Sequence, residues 1–210
     1  MKYPICVGML CPALFVCIAL VWSPLEAEAR IGERKDTIER RLFSSGGIIY
    51  RDDATRQNRQ RRMPYLKYLD FFGGSSEVRV YFKTADGRKP ASSELEEKNM
   101  GDGWDLHVVY VNGKSVLEVY KRSQKMSEHE LNYLLTQAAQ GSFWKRVEKD
   151  EMAEAVSAFG FEMVRDDGSV RSKKLGGDSI LFVASGVDER LAKLNDSDLQ
   201  EKAPVSVDGF

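Results

Sequence analysis

The chain has 210 residues, of which 30% are charged and 42% are hydrophobic, and its formal net charge at pH 7 is -1. This balance of charge disfavours a nucleic-acid binder that works through a globally basic surface. The three cysteines lie at positions 6, 11 and 17, so thiolate metal sites, cysteine nucleophiles and redox motifs are excluded from the rest of the chain. We predict no cofactor, no metal site and no nucleic-acid partner.

The first 29 residues have the pattern of an export signal. An apolar run over residues 5–22 is followed by an Ala-x-Ala pattern at 27–29, which predicts a cleaved signal peptide and an exported, periplasmic or extracellular protein that begins at Arg30. We expect this mature form not to span the membrane. Two alternatives stay open. In the first, the segment is kept as an N-terminal membrane anchor, because a run of this length is also near the minimum that crosses a bilayer. In the second, Cys17 is lipidated.

The start of the mature chain predicts a helix and then a strand. Ile38 and Leu42 lie four positions apart in the charged segment 32–43, which is typical of a short amphipathic helix that packs one apolar stripe on a sheet. Two serines and two glycines follow and end it. Residues 48–50 are predicted to form the first strand.

Arginines dominate residues 51–62, where five of them accompany two aspartates. Guanidinium groups bind carboxylates and phosphates in a bidentate manner, so this segment is our candidate binding site for an envelope protein or an anionic surface component. The alternative is a solvated loop balanced by the acidic residues 94–97. The candidate binding residues are Arg51, Arg56, Arg59, Arg61 and Arg62.

The middle of the chain predicts two strands and then a hairpin. Residues 63–72 are dense in aromatic and aliphatic side chains, and we interpret them as a strand rather than a helix. Apolar residues alternate with others over residues 77–84, which predicts a strand with one buried face. The runs 106–111 and 114–120 flank Asn112-Gly113, a pair typical of the type I′ turn of a tight antiparallel hairpin.

The C-terminal half predicts a capped helix and further strands. Ser127 and Glu130 have the spacing of a capping box, the following apolar residues lie on one helix face, and Gly141 is expected to end the helix. Turn residues then separate the predicted strands 159–165, 169–174 and 179–184. Residues 187–210 are predicted to be a polar, partly disordered tail.

This order of elements predicts an α+β fold in which an antiparallel sheet carries two main helices packed on one face, as a two-layer structure. The mature domain is predicted to be single and to span residues 30–186.

The sequence offers little catalytic chemistry. His107 and His129 are the two histidines, no Gly-x-Ser-x-Gly pattern occurs, and that pattern marks the nucleophile of many serine hydrolases. Adjacent carboxylates occur at 52–53, 96–97 and 166–167, and such pairs usually lie in turns. We therefore predict a noncatalytic exported domain that acts by binding, and keep as alternative a small exported hydrolase with a carboxylate-based site.

Two resemblances agree with this prediction. The helix that carries Gly32, Ile38 and Leu42 resembles the opening helix of the small lipoproteins of the outer-membrane β-barrel assembly machinery and of β-lactamase-inhibitor-like domains, which implies helices on one face of an antiparallel sheet. The chain is also similar to uncharacterised exported bacterial proteins that combine this helix with a hairpin, here 111–116, a capped helix and a following tryptophan, here Trp144. Neither resemblance implies a catalytic residue.

Overall fold

The computed structural model describes residues 30–51, 63–91, 102–148, 150 and 155–194. Within them, three α-helices and one 3₁₀ helix accompany one sheet of eight strands. The helices are α1 (Lys35–Ser44), the 3₁₀ helix (Pro64–Phe71), α2 (Glu128–Ala139) and α3 (Ser185–Ala192). The strands are β1 (Ile48–Arg51), β2 (Ser76–Thr84), β3 (Gly103–Val111), β4 (Lys114–Arg122), β5 (Trp144–Arg146), β6 (Met163–Arg165), β7 (Val170–Lys174) and β8 (Ser179–Ala184). The predicted signal peptide, the acidic residues 94–97 and residues 195–210 lie outside the described residues.

The sheet has the strand order β1-β2-β3-β4-β8-β7-β6-β5, and every pair of neighbours is antiparallel. The predicted α+β class is therefore confirmed. The predicted hairpin is confirmed as well, because Asn112 and Gly113 have φ angles of 51° and 74° and both central residues of a type I′ turn need positive φ. Strand β3 begins at Gly103, earlier than the sequence predicts.

The two faces of the sheet are both covered. Along β8, Ile180 and Phe182 belong to one buried cluster and Leu181 and Val183 to another, as expected when successive side chains point to opposite faces. Helices α1 and α2 lie over the first cluster, so the two predicted main helices do share a face. The 3₁₀ helix and α3 pack against the second cluster, and for this reason the predicted two-layer packing is not confirmed.

Residues 63–72 form a helix, and their interpretation as a strand is wrong. Tyr65, Tyr68 and Phe72 are buried, whereas Lys67 and Asp70 are exposed. This spacing of three and four residues is a helical period. Pro64 at the first helical position has its φ angle preset and lacks an N–H that would be unpaired there in any case, so it favours a helix start.

The capping box that begins α2 is confirmed. The amide of Glu130 donates to the Ser127 hydroxyl over 3.2 Å, and the amide of Ser127 donates to the Glu130 carboxylate over 2.8 Å. The helix ends at Ala139 and Gln140 takes the left-handed conformation with a φ of 54°, one residue before the glycine that was expected to end it.

The C-terminal part of the domain is more extensive than predicted. Strand β5 was not predicted, and β6 begins at Met163 rather than at residue 159. Helix α3 continues through Ala192, beyond the predicted domain boundary at 186, and buries Asp188 and Leu191. The packed domain therefore includes residues assigned to the tail.

Candidate ligand-binding cleft

A cleft of about 580 Å³ lies between α1 and α2 on one face of the sheet. Its floor is made by side chains of three neighbouring strands, where Tyr81 of β2, Leu106 of β3 and Tyr120 of β4 form one cross-strand row. The next row contains Lys83 and Trp104, which are directly paired. The strand register thus presents an aromatic floor with a lysine at its end.

The walls of the cleft come from the helices. The C-terminal end of α1 provides one wall, which includes Arg41 and Leu42, and α2 provides the other, which includes Tyr133 and Leu134. The turn after β2 closes one side. It is held close to the end of α1, because a Cβ built on Gly46 would lie 2.2 Å from the Gly87 carbonyl oxygen. We therefore expect the spacing of these elements to be fixed by contact.

Most charged groups of the cleft already have partners. The Arg41 guanidinium donates two hydrogen bonds of 2.5 and 2.6 Å to the Glu33 carboxylate. Glu130 accepts from Ser127 and, over 3.0 Å, from Arg122. These hydrogen bonds lower the pKa of Glu130, and those from Ser127 have the largest effect.

A second carboxylate that lines the cleft in the described part of the chain is that of Asp86, and its pKa is also lowered, by hydrogen bonding with Thr84 and with the backbone amide of Arg88. Lys83 differs from these groups. It is half-buried, and within the described residues no hydrogen bond or ion pair engages its ammonium. The cleft therefore has one uncompensated positive charge in the part of the chain that the structure describes.

A buried carboxyl group lies beside the cleft floor. Glu118 is 2% exposed, and the Tyr120 hydroxyl donates to its Oε2 over 2.8 Å. Its Oε1 has no hydrogen-bond partner among the described residues. Burial raises the pKa of Glu118, because a charged carboxylate loses its hydration there. Burial also raises the pKa of Tyr120, so both groups favour their neutral forms.

We expect Glu118→Gln to raise the free energy of unfolding at neutral pH. Because the folded-state pKa of Glu118 lies above its ordinary value of 4.5, the protonated form gives stability that is full below that value and is lost as pH rises through the folded pKa. The variant cannot ionise. Its advantage over the wild type, measured by urea denaturation, should therefore be larger at about pH 8 than at about pH 4.

The matched control for this experiment is Glu130→Gln, which should show the opposite sign. The pKa of Glu130 is lowered, so its carboxylate stabilises the fold above the unfolded pKa, and the loss in Glu130→Gln should grow as pH rises. If Glu118→Gln instead lowers the free energy of unfolding by the same amount at both pH values, the assignment of Glu118 as a buried carboxyl group with a raised pKa is contradicted.

The candidate arginine site predicted from the sequence falls outside the residues and side chains that the structure describes. Arg51 ends β1, but its side chain lies outside the described residues, as do Arg56, Arg59, Arg61 and Arg62. The arginine-segment hypothesis therefore stays a prediction.

The structure places the two histidines apart. His107 is buried on the 3₁₀-helix face, where its Nδ1 lies 2.8 Å from the Tyr65 hydroxyl oxygen, whereas His129 lies on α2 at the cleft. Of the adjacent carboxylates, only Asp166 and Asp167 are described, and they bind Lys145 and Arg165. Within the described residues no group of three or more His, Cys, Asp or Glu is arranged to hold a metal ion.

Sequence reasoning missed the cleft because its parts come from separate elements. Each of β2, β3 and β4 was predicted, yet the pairing of Lys83 with Trp104 depends on the register between β2 and β3. That register follows a connection of more than 15 residues and has no turn signal of its own. The usable signal was the alternation in β2, which places Tyr81 and Lys83 on one face.

Comparisons with protein-family models, with curated proteins and with solved structures found no match. In the described part of the chain, no helix is both long enough and apolar enough to cross a bilayer.

Proposed function

We propose that the protein is an exported, noncatalytic binding domain and that the cleft between α1 and α2 is its binding site. The observation that carries this proposal is the combination of a concave space with an aromatic floor formed by Tyr81, Trp104 and Tyr120. Small-molecule sites usually have volumes of about 300–1,000 Å³ and a mostly apolar lining with few polar groups. A cleft of about 580 Å³ lies within that range.

The charged groups of the cleft support binding over hydrolysis. A carboxylate-based hydrolase needs one carboxyl group with a raised pKa that faces a second carboxylate across the substrate. Among the described residues, the two carboxylates that line the cleft, Asp86 and Glu130, have lowered pKa values and are held by hydrogen bonds. The raised pKa belongs to Glu118, which is buried beside Tyr120 rather than open to the cleft.

The alternative of a small exported hydrolase would have to use Glu118. It would require Tyr120 to move, because the hydroxyl of that residue donates to the carboxyl group. Hydrolysis that is abolished by Glu118→Gln would favour this alternative over binding. The envelope protein or anionic surface component predicted as partner remains part of the binding proposal.

The test of the binding site uses the uncharged fluorescent probe phenylnaphthylamine and the full mature chain. We expect saturable binding that Tyr133→Ala weakens by about two- to tenfold, because loss of one aromatic contact costs about 0.5–1.5 kcal/mol. Tyr133 lines the cleft and is 57% exposed, so its removal should leave the melting temperature nearly unchanged.

Phe143→Ala is the matched control for Tyr133→Ala. Phe143 is also 57% exposed but does not line the cleft, and its truncation should leave probe affinity unchanged. Absence of saturable binding by the wild type, or equal weakening by both variants, would contradict the cleft as binding site.

A further inference from the structure

We infer that the ligand of this cleft carries a carboxylate next to an aromatic body, with the aromatic body on Trp104 and the carboxylate on the Lys83 ammonium. This inference rests on the proposed function and names the ligand class. It depends on the position of one lysine relative to one tryptophan and on the charge left unpaired around them.

Lys83 and Trp104 are a directly paired cross-strand couple of β2 and β3. Side chains opposite each other in an antiparallel pair have Cβ atoms about 4.5–5.5 Å apart and share a face. Both residues line the cleft. A planar group stacked on the indole therefore lies within reach of the ammonium of the neighbouring strand.

The other side of Trp104 is occupied by a cation that two carboxylates already bind. The Arg122 guanidinium lies 5.4 Å from the indole ring centre, and the carboxylates of Asp102 and Glu130 bind it. Arg122 thus fixes the ring, and its cluster with the two ionised carboxylates has a net charge of -1, so Lys83 is the cation on which an anionic ligand depends. Because Arg122 of β4 lies on one side of the indole ring, a ligand would stack on the side nearer Lys83 of β2.

The remaining charges of the cleft leave Lys83 as the group that selects for an anion. Arg41 is paired with Glu33, and Asp86 with Arg88. His129 is exposed in the first turn of α2 between two glutamates. The half-buried ammonium of Lys83 has no ion pair among the described residues, so it is the cation of the described cleft lining with which a ligand carboxylate would pair. Charge-assisted hydrogen bonds of this kind are about twice as strong as neutral ones.

The test compares two nearly isosteric probes, naphthylacetate and naphthylacetamide, which differ in charge. We expect the wild-type protein to bind the carboxylate at least about fivefold more tightly than the amide, the range of a partly exposed charged hydrogen bond. Lys83→Gln should abolish this difference by lowering the affinity for the carboxylate. The difference in the wild type should also fall as salt is added.

Lys121→Gln is the matched control for Lys83→Gln. Lys121 is a half-buried strand lysine too, but it pairs with Asp105 in the row next to Tyr120 and therefore faces the opposite side of the sheet. Its substitution should preserve the preference for the carboxylate.

The outcomes separate the inference from the proposed function. Equal binding of both probes by the wild type, or a carboxylate preference that survives Lys83→Gln, would overturn the inference while the cleft stays a binding site. Binding of neither naphthyl probe nor of phenylnaphthylamine would overturn the proposed function itself. A preference that disappears in Lys83→Gln and persists in Lys121→Gln supports both.

Discussion

Replacing Asp188 by alanine is expected to lower the free energy of unfolding by about 3–5 kcal/mol, the cost of removing one partner of a buried ion pair. Asp188 is fully buried in α3. Its carboxylate accepts hydrogen bonds from the backbone amides of Ala158 and Phe159, over 2.9 and 3.1 Å, and from the Ser157 hydroxyl over 2.6 Å. Without it, these three donors lose their acceptor.

The same substitution also affects Arg171. Its guanidinium is largely buried and donates to Asp188 over 2.8 Å. It also packs over the Phe161 ring at 4.4 Å. A buried cation that loses one of its two carboxylates destabilises the fold. The free energy of unfolding should therefore fall further in Asp188→Ala than the loss of the hydrogen bonds to the backbone alone would explain. Urea denaturation followed by circular dichroism measures it.

Glu189→Ala is the matched control, because Glu189 binds the same guanidinium over 2.6 Å but its side chain is 45% exposed. An exposed ion pair contributes about 0–1 kcal/mol, so this variant should lose at most that amount. Equal losses in Asp188→Ala and Glu189→Ala would contradict the role of Asp188 as the residue that holds the segment 157–159 to α3.

Replacing Phe182 by alanine should also cost about 3–5 kcal/mol, the usual range for truncation of a buried phenylalanine. Phe182 lies in β8, in the interior of the sheet between β4 and β7. Its ring centre is 5.9 Å from that of Tyr120, edge to face, and 5.7 Å from that of Trp144. The cavity left behind would border the core under α2.

Thermal and urea unfolding of Phe182→Ala should be compared with those of Phe143→Ala. Phe143 is a phenylalanine of the same size in an exposed position, and surface substitutions usually change stability by about 0.5 kcal/mol or less. If both variants unfold at the same urea concentration, the buried cluster beneath α2 is not packed as the structure describes.

Local signals in the sequence were sufficient for the elements that form by local rules. The Asn112-Gly113 turn, the Ser127 and Glu130 capping box and the alternation in β2 each depend on residues within one element or one turn. The turn, the capping box and the strand are confirmed, but the prediction that β2 has one buried face is wrong, because Tyr81 is buried on one face and Val80 and Phe82 on the other. The 3₁₀ helix was missed because apolar residues fill most of 63–72, so neither period stands out until burial separates Tyr65 and Tyr68 from Lys67.

Contacts between segments far apart in the chain could not be predicted from the sequence. Strand β4 pairs with β8, which follows it by more than 50 residues, and no turn connects them to set the register. Asp188 was assigned to a polar tail because an aspartate in a charged segment is usually exposed. Its burial depends on hydrogen bonds from the backbone amides of residues 158 and 159. These residues lie next to α3 only in the folded tertiary structure. The cleft could not be predicted for the same reason, because its lining depends on the register between β2 and β3 and on the positions of α1 and α2.

The most direct test of the central claim is the location of a bound probe. Naphthylacetate should be titrated into the isotope-labelled protein while two-dimensional amide NMR spectra are recorded. We expect the largest shifts at Lys83, Trp104 and Tyr133, which line the cleft, and none along β5 to β7. Shifts concentrated in residues 51–62 or on the outer strands, with the cleft resonances unchanged, would contradict the account.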